Sequence, residues 1–252
     1  MRQIILAINA LLKFKAYDLI NVLGLACSLA CVLTVSRYIH QENTVNQCFP
    51  EYKRICLIKT STSSGENFLG GYRSGLEKDP DVEQFTVIYQ ISDMPVLFGE
   101  QEIAANAFSV DSTFFKIFPY RVIAGSGRIV RPRDVVITRS FWMKKLGGKN
   151  AIGATFKNTK GNKFTIVGVV DDPDTKTSWT PDIFMSNELD EFLFFDPIYA
   201  MLMASDADIA LLNKKYSKEH PRSKWSTYET VRYQYLPLKD LLYDKNHGKE
   251  HK

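Results

Sequence analysis

Short apolar and polar blocks alternate along most of this chain. Near its start one stretch breaks the pattern: Leu19 to Ser36, LINVLGLACSLACVLTVS, is eighteen residues without a formal charge. With Tyr17 before it and Tyr38 and Ile39 after it, the run reaches the ~20 residues that an apolar helix needs to cross a hydrocarbon core of about 30 Å. The tyrosines fall at its two ends, where amphipathic rings favour the interface. A buried core helix would carry more of a polar stripe than Asn21, Ser28, Thr34 and Ser36. A secretory signal would have a shorter apolar region and a small-residue cleavage site, whereas SRYIHQEN follows here. The pattern favours a membrane helix over these two alternatives. Ahead of it, Ile4, Ile5, Ile8, Leu11 and Leu12 recur at helical spacing, with Arg2, Gln3, Asn9 and Lys13 between them. That spacing fits an amphipathic helix in the membrane interface over residues 1–16; the alternative is a plain extension of the membrane helix.

Beyond the span the period shortens. The helix is expected to run to about Asn46, before Pro50. YKRICLIKT (52–60) reads as a strand, 68–78 as a short helix ended by Asp79-Pro80, and VEQFTVIYQ (82–90) as a strand. Residues 94–98 and 102–110 suit a hairpin across Gly99 to Gln101. Asp111 or Ser112 then caps a helix over FFKIF, 114–118, and 125–133 is a loop. DVVIT (134–138) is a strand, 139–146 a helix stopped by Gly147-Gly148, and 154–158 pairs with 164–170 across Lys160-Gly161-Asn162. A short strand at 183–185, a helix over 206–220 with Ile209, Leu212 and Tyr216 on one face, and a strand at 230–236 complete the series. Strands alternating with short helices predict an α+β protein: one N-terminal transmembrane helix, then a mixed α/β domain.

Charge sets the expected orientation. Arg2, Lys13 and Lys15 precede the span with no acid before Asp18, while acids and bases mix after it, so the N-terminus is expected on the cytoplasmic side and the main domain outside. The net charge of +4 is small and its bases lie scattered among acids, which argues against a nucleic-acid partner. Chemistry is sparse. The phosphate-loop pattern is missing, since Gly148-Lys149 is followed by Asn150 and residue 143 is Met. Asp171, Asp172 and Asp174 form an acidic cluster that reads as a polar turn, the alternative being a cation site; the calcium-loop spacing is not there. His40, His220, His247 and His251 make no zinc pattern. Ser140 and Ser178 read as turn or cap residues, so no catalytic, cofactor or metal residue is assigned. Cys27 and Cys31 lie within the span, whereas Cys48 and Cys56 lie outside it, where an oxidising compartment permits pairing. Phe192, Phe194, Phe195 and Tyr199 are core or, alternatively, a partner surface.

Several strings together carry a family resemblance. INVLGLACSLA (20–30) and ENTVNQCFPEYKRICLI (42–58) are followed by NAFSVDSTFFKIFPYRVIAG (106–125), with Phe114, Phe115, Phe118 and Gly125 at the family's positions. Next comes DVVITRSFWMKKLGGKNAIGATF (134–156), with Val135, Val136, Ile137, Leu146, Gly147, Ile152 and Gly153. KFTIVGVVDDPDTKTS (163–178) supplies Val167, Gly168, Val169, Asp172 and Pro173, and PDIFMS (181–186) follows. The order and spacing resemble the MacB/FtsX-like ABC transporter permeases, in the branch common in Bacteroidetes, from about Ala16 to Tyr243.

The resemblance implies a membrane helix and its extension over 17–46 and an extracytoplasmic core domain of two subdomains over 47–243. The inserted subdomain would lie at about 111–190, and a polar tail or linker would follow at 244–252. It implies a non-catalytic permease subunit of the bacterial inner membrane whose outer domain transmits ATP-driven motion. The expected partners are an ABC ATPase subunit, a second permease copy, a periplasmic adaptor protein and membrane lipid, with no cofactor. Such permeases have three further membrane helices where this chain reaches Lys252, so a fragment is expected, with a naturally split permease as the alternative. A single-span sensor or binding module is the competing functional class.

Overall fold

The computed structural model describes residues 17–62, 67–70, 78–148, 150–188, 197–216, 220–221 and 230–244. The chain divides into two compact units, one ending at Thr44 and one beginning at Val45. In the first, α1 (Tyr17–Asn43) is a single helix without proline. Its side chains from Leu19 to Gln41 are all exposed. Ser28 Oγ donates to Gly24 O at 2.8 Å and Thr34 Oγ1 to Ala30 O at 2.7 Å. The hydroxyls of Ser28 and Thr34 are thus satisfied by the helix itself, as hydrocarbon requires. The helix stops at Asn43 rather than near Asn46, because Asn46 takes φ 63°, a left-handed conformation that ends a helix and that Asn tolerates better than most residues.

The second unit is built on one mixed sheet. Its strands are β1 (Ile55–Thr62), β2 (Asn67–Leu69), β3 (Val82–Phe98), β4 (Gln101–Val110), β5 (Val122–Gly125) and β6 (Asp134–Thr138). They continue with β7 (Thr155–Asn158), β8 (Lys163–Val170), β9 (Ile183–Ser186), β10 (Ile198–Met203), β11 (His220–Pro221) and β12 (Thr230–Pro237). The order is β11-β12-β1-β10-β3-β4-β9-β6-β8-β5, with β2 on β1 and β7 bridging β3 and β8. Most neighbours are antiparallel; β4–β9 and β6–β8 are parallel. The helices are α2 (Phe114–Ile117), α3 (Arg139–Lys145) and α4 (Ile209–Tyr216), and a closing 3-10 helix spans Leu238–Tyr243.

Residues 111–190 contribute β5 to β9, and four of these strands, β9-β6-β8-β5, form one end of the sheet. Two large cores follow. One gathers Ile55, Leu57, Phe114, Phe118, Phe184 and Leu241. The other gathers Val96, Ile103, Val135, Phe156, Phe164 and Ile166. The β3–β4 hairpin enters both: Ile88 and Phe108 lie in the first, Val96 and Ile103 in the second. Between them the register slips at Ile91/Met94, where Asp93 takes φ 50°. Such a bulge bends a long strand so that it can face two cores. The second core therefore joins the distal half of that hairpin to part of residues 111–190, whose Phe114, Phe118 and Phe184 lie in the first core.

A smaller third core holds Cys56, Ile58, Met201, Leu212 and Tyr235. The helix α4 docks there through Asn213, which donates from Nδ2 to Tyr235 O at 3.0 Å and accepts from Tyr235 N at 2.7 Å. Buried Asp79 accepts from Tyr216 Oη at 3.0 Å.

Several expectations change. Residues 67–69 form β2 on β1 rather than the start of a helix, because backbone pairing with Lys59 to Ser61 outweighs the local pattern; 71–77 lie outside the described residues. The helix expected from Asp206 begins at Ile209, and His220-Pro221 pair with β12. The strands β5 and β10 sit in stretches without clear alternation. Ile198 and Ala200 to Met203 are all buried in β10, so no polar positions mark the strand. Asp244, assigned to the polar tail, accepts a hydrogen bond from Lys59 Nζ. Residues 1–16, His247, His251, Phe192, Phe194 and Phe195 lie outside the described residues; Tyr199 packs half-buried against the third core.

Candidate functional site

The apolar helix is the first candidate. An amphipathic helix of a soluble domain buries one stripe; α1 is apolar on all sides and buries none. A helix of 27 residues rising about 1.5 Å per residue spans roughly 40 Å, enough for a hydrocarbon core with some length to spare.

The second candidate is the domain's first buried residue cluster after that helix. Asn46 is 2% exposed. Its Nδ2 donates to Ser178 Oγ at 2.8 Å and to Leu238 O at 3.0 Å, and its Oδ1 accepts from Ser178 N at 2.8 Å. The Asn46 backbone N–H donates to Lys176 O at 2.9 Å. Three residues on, Phe49 enters the aromatic core, with ring centroids 5.0 Å from Phe118 and 5.7 Å from Tyr120. Nothing in the sequence marked Asn46, since a polar residue after a helix is ordinary. The left-handed backbone and the two distant partners exist only once the chain has folded.

Beside this cluster lies a shallow cleft of about 140 Å³ lined by Cys48, Phe49, Tyr120, Arg121 and residues 171–174. Its acidic side is already committed. Asp171 accepts from Arg121 Nε at 3.0 Å and from Arg121 Nη2, and pairs with Arg139 at 3.2 Å. The hydrogen bonds from Arg121 hold the Asp171 carboxyl below the usual carboxylate range, and they raise Arg121 in turn. Asp172 accepts from Ser140 N at 2.9 Å in the first turn of α3, where a carboxylate is favoured by the helix dipole. The cluster is thus a turn that fastens β8 to β5 and α3. Among the described residues no group of three or more His, Cys, Asp or Glu is placed to hold a metal.

The cysteines do not pair. Cys48 packs half-buried against the first core and Cys56 lies wholly buried in the third, both as thiols. Burial pushes the Cys56 thiol up to about 12 and raises Cys48 as well, so neither is a ready nucleophile. Burial likewise pushes the Tyr120 phenol up. Ser140 serves the start of α3, and Ser178 serves Asn46. Asp111 is the cap that the sequence suggested: its Oδ1 accepts from Thr113 N at 2.8 Å and Phe114 N at 3.2 Å, and its Oδ2 from Val87 N at 2.9 Å.

A family model for the MacB-like periplasmic core domain matches residues 19–215. The chain belongs to that family. Its MacB-like domain is the periplasmic domain type of ABC transporter permeases, and with the apolar helix ahead of it the chain is a membrane-anchored protein with an extracytoplasmic domain. Among solved structures, a domain assigned to a permease protein from Porphyromonas gingivalis matches with a TM-score of 0.61 at 19% identity, over 75% of this chain and 92% of that one. The periplasmic region of MacB from Actinobacillus actinomycetemcomitans matches with a TM-score of 0.52 at 14% identity, over 68% and 83%. At these identities the likeness is one of fold. No curated protein sequence matches the chain.

Proposed function

We propose that the chain supplies the first membrane helix and the extracytoplasmic domain of an ABC transporter permease, and that the domain transmits ATP-driven motion to export or move cargo. The observation that carries this reading is the unbroken, proline-free helix α1 running into a MacB-like domain, with only Thr44 and Val45 between Asn43 and the buried Asn46. A helix without proline is stiff enough to carry a displacement along its axis. In this reading ATP hydrolysis belongs to a separate ABC ATPase subunit, and residues 1–252, which carry no phosphate-loop pattern, supply the part that is moved. The permease works as two copies or two related halves in a bacterial inner membrane, with a periplasmic adaptor as a further partner. Its N-terminus is cytoplasmic, with residues 1–16 in the interface.

A sensor or ligand-binding module would need a pocket of roughly 300 Å³ or more. Among the described residues, the clefts beside Tyr120 and beside Lys116 measure about 140 and 270 Å³. The test is a distance measurement between labels at the exposed Gln41 and Glu102, on the protein reconstituted with an ABC ATPase subunit that it activates. Transmission predicts a shift between the nucleotide-free and ATP-trapped states. An unchanged distance in an actively hydrolysing complex rejects it.

A further inference from the structure

Asn46 holds together three parts of the domain that are far apart in sequence. One is the chain arriving from α1. The second is the segment 176–178, which continues through buried Trp179 into β9, between β4 and β6 in the sheet. The third is Leu238, which opens the closing 3-10 helix as the chain leaves β12. Both amide hydrogens of Asn46 and its carbonyl oxygen are used. At 2% exposure no water stands ready to replace them, so opening the contact leaves buried polar groups unpaired. Leu238 and Leu241 are buried in the same core as Phe49, so the arriving and leaving segments are packed together as well as bonded.

We propose that Asn46 is a mechanical joint. A pull or push arriving along residues 43–45 is divided there between the outgoing chain at Leu238 and the 176–178 segment, before any strand of the sheet is loaded. The backbone of Asn46 takes φ 63°, a conformation open to Asn and Gly and strained for most other residues. This rests on the reading of the domain as a transmitter of motion. The experiment below measures the joint alone, so a negative result removes the joint and leaves transmission to its own test.

The full chain, held in bicelles, is stretched in an optical trap by handles on genetically encoded azides at Gln41 and Tyr243. A second pulling pair, Glu100 and Lys160, loads the β3–β4 and β7–β8 turns instead. Asn46→Gly keeps the left-handed backbone without strain and deletes the three side-chain bonds. At fixed force the Gln41/Tyr243 pair should open about tenfold faster in this variant, with the Glu100/Lys160 pair unchanged. Ser178→Ala, which removes one acceptor and keeps the bond to Leu238, should give a smaller acceleration in the first geometry only. It decides the matter if Asn46→Gly does not fold. Equal acceleration in both geometries would make Asn46 an ordinary stabilising residue, and no acceleration in the first would remove it from the load path; either result overturns the proposal.

Discussion

At Gly168 in β8, a Cβ would lie 1.7 Å from Ser126 O, in the turn after β5. The residue has ordinary backbone angles, so its need for glycine comes wholly from this approach, which lets β5 pair along β8. Gly168→Ala should therefore destabilise the protein by about 2–3 kcal/mol, read as a lowered urea midpoint in detergent. Gly161 is the control: its φ is +81° with open space around it, and Ala there should cost only about 1 kcal/mol, the penalty of a left-handed backbone. Equal losses at both sites would refute the close approach. Asp171 gives a pH-dependent case. Its carboxyl is lowered by Arg121, so its contribution is fully present above the unfolded value of about 4 and is lost as pH falls through the native value. Asp171→Asn should flatten the fall in unfolding midpoint between about pH 6 and about pH 3. If wild type and variant fall in parallel, the acid sensitivity resides elsewhere.

The element α2 spans four residues, too few to persist alone, since nucleation of a helix is costly. Two features hold it. Asp111 binds its first N–H groups and the β3 backbone together, and Phe114 packs its ring against Phe115, Phe118 and Phe184 at centroid distances of 5.1 to 5.5 Å. Phe114→Ala should cost about 3–5 kcal/mol, measured by chemical unfolding with near-ultraviolet dichroism as the probe of the aromatic core. A loss below about 1 kcal/mol would mean that the site collapses around the gap and that the helix does not depend on this ring. This element was legible from sequence because its signals are local: an acid ahead of an apolar run, and phenylalanines at helical spacing. The strand β6 and the β7–β8 hairpin were legible for the same reason. The strands β2 and β10 were not. The first exists only because β1 offers a partner edge, and the second is buried at nearly every position, which erases the alternation that identifies a half-buried strand.

For the whole molecule, the apolar helix is the decisive feature. Leu29, near its middle, is exposed along with every neighbour. Leu29→Arg should reduce membrane insertion by about 3 kcal/mol, scored as the fraction of chains that span the membrane in a translocation assay. Insertion unaffected by the arginine would reject the span. That helix needed no tertiary information, because a charge-free run long enough to cross hydrocarbon is a property of consecutive residues. The same holds for the lack of a phosphate loop and, together with the order of motifs from Phe114 to Pro173, for the family. The tertiary structure decided what depends on residues distant in sequence. It ended α1 at Asn43, divided the β3–β4 hairpin between two cores and kept Cys48 apart from Cys56. It also committed Asp171 to Arg121 and brought Ser178 and Leu238 to Asn46. Hydrogen bonds between segments more than a hundred residues apart leave no periodic trace in the sequence, so the joint at Asn46 appears only when the chain has closed around it.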